Sequence, residues 1–396
     1  MRREVGGTDS SSRLYPAFRL RGATFGPHVL RWRPSSRRFC VKGHGPTSRF
    51  PVMKAVVLTR TGGADVLKVQ DWPDPTVGAG EVRIAVRAAG VNFADTIARV
   101  GLYPATPKRP CVLGYEVAGE VETIGPGVSG LVVGQRVMAG TQFGGQAEVA
   151  TARARDVLPM PDHLSFEEGA AFCVSYGTAY AALMIMGGLR ERDRVLIHSA
   201  AGGVGIAATQ VARNAGAEIF GTASATKHSA ISAQGVHHPI DYRSQDFKAE
   251  IRRLTDGEGV DVVMDAMGPA SFRKDYRILR PGGRLIIYGL SDAVNEDGRN
   301  LRSAVTSLLR LPTSTMPWWN AGRLLNQNRG VFSLHLLTWW RREGDMHRIT
   351  APLLTDLEAG RLAPVVAEVF PFSRAGDAHR FLAERRNIGK VVLTPG

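Results

Sequence analysis

Arg194-Val-Leu-Ile-His-Ser-Ala-Ala-Gly-Gly-Val-Gly205 is the most informative run in this chain. A short apolar strand, Arg194 to His198, enters a glycine turn that opens a helical stretch, Ile206 to Ala215. That order is the context in which a dinucleotide-binding turn works. The pattern is Ala200-x-Gly202-x-x-Gly205, with alanine where the common fingerprint has its first glycine. Gly202 would let backbone approach a pyrophosphate, and Gly205 would let the helix pack against the strand. The N–H groups of Gly203, Val204 and Gly205 then face an anion at the positive end of the helix. On either side, strands and helices alternate. Glu218 to Thr222, Val260 to Met264 and Gly283 to Tyr288 read as strands, and Lys227 to Gln234 as a helix. Such alternation demands right-handed crossovers and a doubly wound parallel sheet, placed at residues 176–320.

An NAD enzyme sets an acid on the ribose 2′-hydroxyl about 20 residues beyond the turn. No acid occurs here between Glu218 and Asp241, while Ser224 and Lys227 offer a hydroxyl and a cation suited to a 2′-phosphate. The expected cofactor is therefore NADPH. The flanking segments are different in character. Lys54 to Leu58, Glu81 to Arg87 and Gly119 to Ile124 are short strands broken by Pro73, Pro75, Gly78, Gly80 and Gly125-Pro-Gly127. Residues 53–175 and 321–396 are expected to form a separate β domain, with Leu362 to Pro395 completing it around a helix.

The chain has 396 residues and a net charge of +14. Residues 1–52 carry +9 of that, from ten Arg and one Lys against one Glu and one Asp, which leaves +5 for the rest. A nucleic-acid module would instead show a basic stripe with interleaved aromatics. The Arg-rich, acid-poor tail reads as disordered, either as extra residues ahead of a working start at Met53 or as an organellar transit peptide. Cytoplasmic location is expected in the first case and organellar in the second. Cys40, Cys111 and Cys173 form no pair at metal or disulfide spacing, so no bound metal is expected. No apolar stretch is long and unbroken enough to predict a membrane-spanning helix. Met316 to Trp319 and Leu336 to Trp340 are apolar, and read as buried or dimer contacts rather than lipid-facing surfaces.

Ala89-Gly-Val-Asn-Phe-Ala-Asp-Thr96, Gly101-Leu-Tyr-Pro104, Gly114-Tyr-Glu-Val-Ala-Gly119 and the glycine turn together resemble the medium-chain dehydrogenase/reductase superfamily. Within it they are similar to the zinc-free NADPH:quinone oxidoreductase, or zeta-crystallin-like, branch. Phe220 to His228, His238 to Tyr242 and Arg386 to Leu393 resemble its vesicle amine transport protein subgroup. The resemblance implies an α/β fold: a GroES-like β-barrel domain with an inserted doubly wound parallel (Rossmann) domain. It puts the pyrophosphate on Ala201, Gly202, Gly203, Val204 and Gly205, and the 2′-phosphate among Ser224, Lys227 and Tyr242. Thr178, Gly289, Leu290 and Asn387 fall on the nicotinamide side. Tyr115 stands where zinc-dependent relatives carry a ligand histidine.

Without zinc, a hydroxyl must support charge developing on the substrate oxygen. Tyr103 is the candidate, and Asn92 either orients nicotinamide or substrate or caps the helix beginning at Phe93. Ile97 replaces a second tyrosine common in quinone reductases, which makes the pocket more apolar. The implied activity is NADPH-dependent reduction of quinones or α,β-unsaturated carbonyls. The alternatives are an enoyl-thioester reductase and a nucleotide-binding, membrane-associated factor. A homodimer is expected through an edge strand at Val331 to Leu337.

Overall fold

The computed structural model describes residues 51–293, 321–343 and 346–396. The expectations for residues 1–50 and for Met316 to Trp319 lie outside them.

The alternating apolar residues of Glu81–Val91 make it the centre of the first domain. Val82, Ile84 and Val86 turn into one core while the intervening Glu81, Arg83, Ala85 and Arg87 lie on the opposite, more exposed face. It pairs antiparallel with Glu116–Ile124, Val149–Arg153 and Lys390–Thr394. Two register shifts against Glu116–Ile124, at Arg83/Ile84 and Val86/Ala88, bend it in the manner of bulged barrel strands. Arg136–Gly140, Val157–Pro159 and Val366–Pro371 complete a seven-stranded sheet. A smaller sheet pairs Val52–Leu58 with Leu67–Pro73 and Cys111–Val112.

The inserted domain is a six-stranded parallel sheet. In space its strands run His238–Asp241, Glu218–Ala223, Arg194–Ile197, Val260–Asp265, Leu279–Ile287 and Gly330–Ser333. All six residues of Val260–Asp265 are buried, as a central strand covered on both faces must be. Strand order reverses between Arg194–Ile197 and Val260–Asp265, and a crevice opens at the carboxyl ends there.

One boundary is corrected. The sixth strand, Gly330–Ser333, lies beyond residue 320 and so belongs to the parallel sheet, not the barrel. It is only four residues long and half exposed, which leaves little alternation to read. The expected edge segment ends early, because Leu336–Glu343 is a helix. In that helix Trp340 is 1% exposed and donates its indole N–H to Asp156 at 2.9 Å, so it faces protein.

Among the described residues one helical run, Phe166–Met186, is long and apolar enough to cross a membrane. Packing inside the protein buries 72% of its most apolar 18-residue window, and the run touches both the barrel strands Glu81–Val91 and Glu116–Ile124 and the helix Gly203–Asn214.

Candidate active site

The glycine corner is built from the chain outward. Arg194–Ile197 ends in the core, Ser199 adopts φ +53°, and Gly202 (φ −76°, ψ 169°) begins the helix Gly203–Asn214. A Cβ at Gly205 would lie 2.3 Å from the Ser199 carbonyl oxygen, so close packing of helix on turn requires glycine there. At Gly202 the nearest atom would be 3.4 Å away. The protein itself does not need glycine at that point; the bare face is turned to the cleft. No side chain caps this helix and its first turn holds no acid, which leaves its N–H groups for an external anion. Gly389 N–H donates to the Ala201 carbonyl at 2.9 Å, so the last barrel strand is clasped to the corner.

A cleft of about 930 Å³ runs from this corner. Asn92, Tyr103, Thr178, Ala201 to Gly205, Ser224, Lys227, Tyr242, Gly289, Leu290 and Asn387 all line it. Several are more occupied than the sequence suggests. Thr178 Oγ1 donates to the Val174 carbonyl at 2.6 Å, and Asn387 Nδ2 donates to the Gly389 carbonyl at 2.8 Å. Lys227 Nζ donates to the carbonyls of Arg385 and Asn387 at 2.6 and 2.7 Å, which leaves one of its three protons. Burial lowers its pKa, and the neighbouring charges of Arg243 and Arg385 add to that. Ser224 Oγ lies 3.2 Å from Thr226 Oγ1, and Tyr242 is 38% exposed at the mouth.

The far end of the cleft is apolar and aromatic. Ile97, Leu102, Leu334 and Leu337 line the cleft together with Tyr103. Its ring meets Tyr115 edge-on at 6.1 Å and His335 at 5.4 Å. Burial pushes the Tyr103 pKa up to about 12, with the nearby Tyr115 hydroxyl offsetting part of the rise. The phenol therefore stays protonated and can donate. Asn92 precedes the helix Phe93–Arg99, and its N–H is held by the Asp95 carboxylate at 2.8 Å. The other Asp95 oxygen accepts Gly114 N–H at 3.1 Å. Burial pushes Asp95 up to about 7 against those two hydrogen bonds, so its work is local and structural.

Three residues here escaped the sequence reading. Glu116 and Lys390 form a buried ion pair around the Asn92 side chain. His335 stacks near Tyr103, and its Nδ1 accepts Thr338 N–H at 3.2 Å, at the start of Leu336–Glu343. Glu116 and Lys390 sit inside the motifs quoted above, but no local pattern pairs them.

The donor set suits a dinucleotide better than a metal. Among the described residues no cysteine lines the cleft, and its imidazoles are His335, beside Tyr103, and His198, below the glycine corner. Cys111 and Cys173 are buried, and burial raises both thiol pKa values, which disfavours the thiolate a zinc site uses. His198, Asp265 and Asp275 do converge beneath the corner, with potential ligand atoms within 4.8 Å. Their neighbours are internal: His198 Nδ1 pairs with Thr222 Oγ1 at 3.0 Å, its Nε2 with Asp275 at 2.9 Å, and Asp265 accepts from Ser271.

Comparison with known proteins agrees with this architecture. Residues 78–162 match the alcohol dehydrogenase GroES-like domain family, and residues 234–393 the family described as zinc-binding dehydrogenase. The chain belongs to the medium-chain dehydrogenase/reductase superfamily of oxidoreductases, whose members bind a nicotinamide cofactor, and lies close to the VAT-1 homologs and quinone oxidoreductases. The rat synaptic vesicle membrane protein VAT-1 homolog is 39% identical over 354 residues, 87% of this chain and 85% of that protein. A quinone oxidoreductase of Pseudomonas syringae superimposes with a TM-score of 0.74 at 29% identity, covering 87% of this chain and all of that one. Mycobacterial Rv1454c, solved in complex with NADPH, gives 0.74 at 31% identity, covering 87% of this chain and all of that one.

Proposed function

We propose that this protein is an NADPH-dependent reductase that delivers hydride to quinones or α,β-unsaturated carbonyl compounds without zinc. One observation carries the reading. A single cleft takes in Ser224 and Lys227, the uncapped glycine corner and the half-buried Tyr103. The NADPH complex and the quinone oxidoreductase among the similar structures support it.

When bound, the reduced dinucleotide supplies a hydride, that is, one proton with two electrons. The N–H groups of Gly203, Val204 and Gly205 hold its pyrophosphate, with Ala201 and Gly202 leaving room for the approach. Ser224 and the remaining ammonium proton of Lys227 take the 2′-phosphate, and Tyr242 covers the adenosine. Thr178, Gly289, Leu290 and Asn387 flank the nicotinamide. Tyr103 donates a hydrogen bond to the acceptor oxygen as the C=C electron pair moves toward it. A solvent proton then returns at the α-carbon, so one enone, one hydride and one proton give one saturated ketone.

The test follows absorbance of NADPH and of NADH with a small quinone, a linear enone and a crotonyl thioester. Oxidation of NADPH by the first two supports the reading. Turnover of the thioester alone would move the assignment to an enoyl-thioester reductase. Binding to liposomes with no oxidation across the panel would favour the membrane-associated alternative.

A further inference from the structure

Asn92 lines the cleft but is only 8% exposed, and its side chain sits between two buried charges. Its Oδ1 accepts from Lys390 Nζ at 2.6 Å, and its Nδ2 donates to Glu116 Oε1 at 3.0 Å. Lys390 and Glu116 are themselves paired, with side chains 5% and 1% exposed. The other Glu116 oxygen accepts Val174 N–H at 2.8 Å, so the carboxylate cannot swing away. Ser175 Oγ stands 3.5 Å from the ammonium, and Asp95 adds a further acid nearby.

An asparagine amide can be turned end for end, and its neighbours decide which way it points. Turning this one would set its oxygen against the Glu116 carboxylate and its NH2 against the Lys390 ammonium. Both contacts would be repulsive or unpaired. The two charges of opposite sign therefore permit one orientation, in which oxygen and one amide proton are consumed and one N–H remains. A buried ion pair by itself adds little net stability, since desolvation offsets attraction. Its value here is orientational.

We propose that Lys390 and Glu116 are positioning residues that make Asn92 an obligate hydrogen-bond donor to the acceptor oxygen on which negative charge develops. This rests on the reductase reading above and deepens it: the site selects acceptors whose oxygen takes up charge, and Asn92 works beside Tyr103. Lys390 also brings the last barrel strand to this point, because its stem lies under Gly203 at the glycine corner. Cofactor corner and oxygen donor are thus set by one side chain.

The test compares Asn92→Ala, Lys390→Met, the paired variant Lys390→Met/Glu116→Gln, and the paired changes on the Asn92→Ala background. Lys390→Met alone strands a buried carboxylate and is expected to lower the thermal midpoint; the paired variant removes both charges and is expected to recover it. Asn92→Ala leaves the ion pair in place. The expected result is that Asn92→Ala and the paired variant each lose about tenfold to 100-fold in kcat, with NADPH affinity by calorimetry unchanged within about twofold. Adding the pair changes to Asn92→Ala should cost nothing more, since the charges act only through that amide. A second readout needs no turnover. Affinity for 4-nitrophenolate in the presence of NADP⁺, its anionic oxygen standing for the developing one, should fall in the same three variants by one common factor. A folded paired variant with wild-type kcat and wild-type phenolate affinity would overturn the proposal, as would additive losses in the combined variant. If the wild type binds phenolate in this pattern but oxidises no NADPH, the reductase reading fails while the donor assignment stands.

Discussion

Tyr103, which lines the cleft, and Asp95, buried behind it, turn burial to different ends. Tyr103 keeps its proton because burial lifts its pKa to about 12. Tyr103→Phe removes the hydroxyl and nothing else, so kcat should fall about 100-fold with NADPH affinity unchanged. Steady-state kinetics with a small quinone checks this, and wild-type turnover in the variant would remove Tyr103 from the mechanism. Asp95 rises from 3.8 to about 7, again mainly through burial. Asp275, beneath the glycine corner, is also pushed up to about 7 by burial. A carboxyl whose folded-state pKa is raised favours the folded protein below its unfolded pKa, and that contribution is lost as pH climbs through the folded value. These two groups should therefore lower stability between about pH 4 and 7. Thermal midpoints across that range should decline less steeply in Asp275→Asn, whose neutral side chain cannot titrate.

The helix Gly203–Asn214 is the element on which cofactor binding depends, and its two glycines have separable roles. Gly205→Ala forces a Cβ to within 2.3 Å of a backbone carbonyl that cannot easily yield. Overpacking of this kind costs roughly 1–3 kcal/mol, more than the helix propensity gained over glycine. The variant should melt lower and bind NADPH poorly. Gly202→Ala meets no protein atom closer than 3.4 Å, so stability should hold while NADPH affinity falls at least about tenfold. Melting curves paired with calorimetry distinguish the two; equal stability losses would contradict this division.

Across the whole molecule, the cleft is held by contacts between the barrel's final segment and the parallel sheet. Gly389 to Ala201, and Lys227 to the carbonyls of Arg385 and Asn387, join the two domains beside the ligand site. A ligand that binds there stabilises the folded protein in proportion to its affinity, by about 2.7 kcal/mol at 100 times Kd. At equal concentration NADPH should raise the melting temperature more than NADH, and Lys227→Ala should narrow that difference. An equal response to both would remove the 2′-phosphate assignment. The edge strand Gly330–Ser333 leaves Phe332 44% exposed on an unpaired flank, among the described residues. A homodimer through this edge is expected, and a monomeric mass by light scattering would exclude it.

The parallel sheet and the glycine corner could be read directly from the chain, since strand, turn and helix signals act over a few neighbouring residues. The missing acid after Glu218–Ala223 was equally local, and it pointed to the NADPH expectation. Packing alone brought Lys390 to Asn92 across 298 positions, and Glu116 to Asn92 across 24. It also set His335 against Tyr103 and tied two protons of Lys227 to backbone carbonyls. Short-range order follows from periodicity and turn chemistry, whereas the partner of a buried charge depends on which distant strands share a wall. A lysine in a glycine-flanked strand start carries no mark of the amide it will hold.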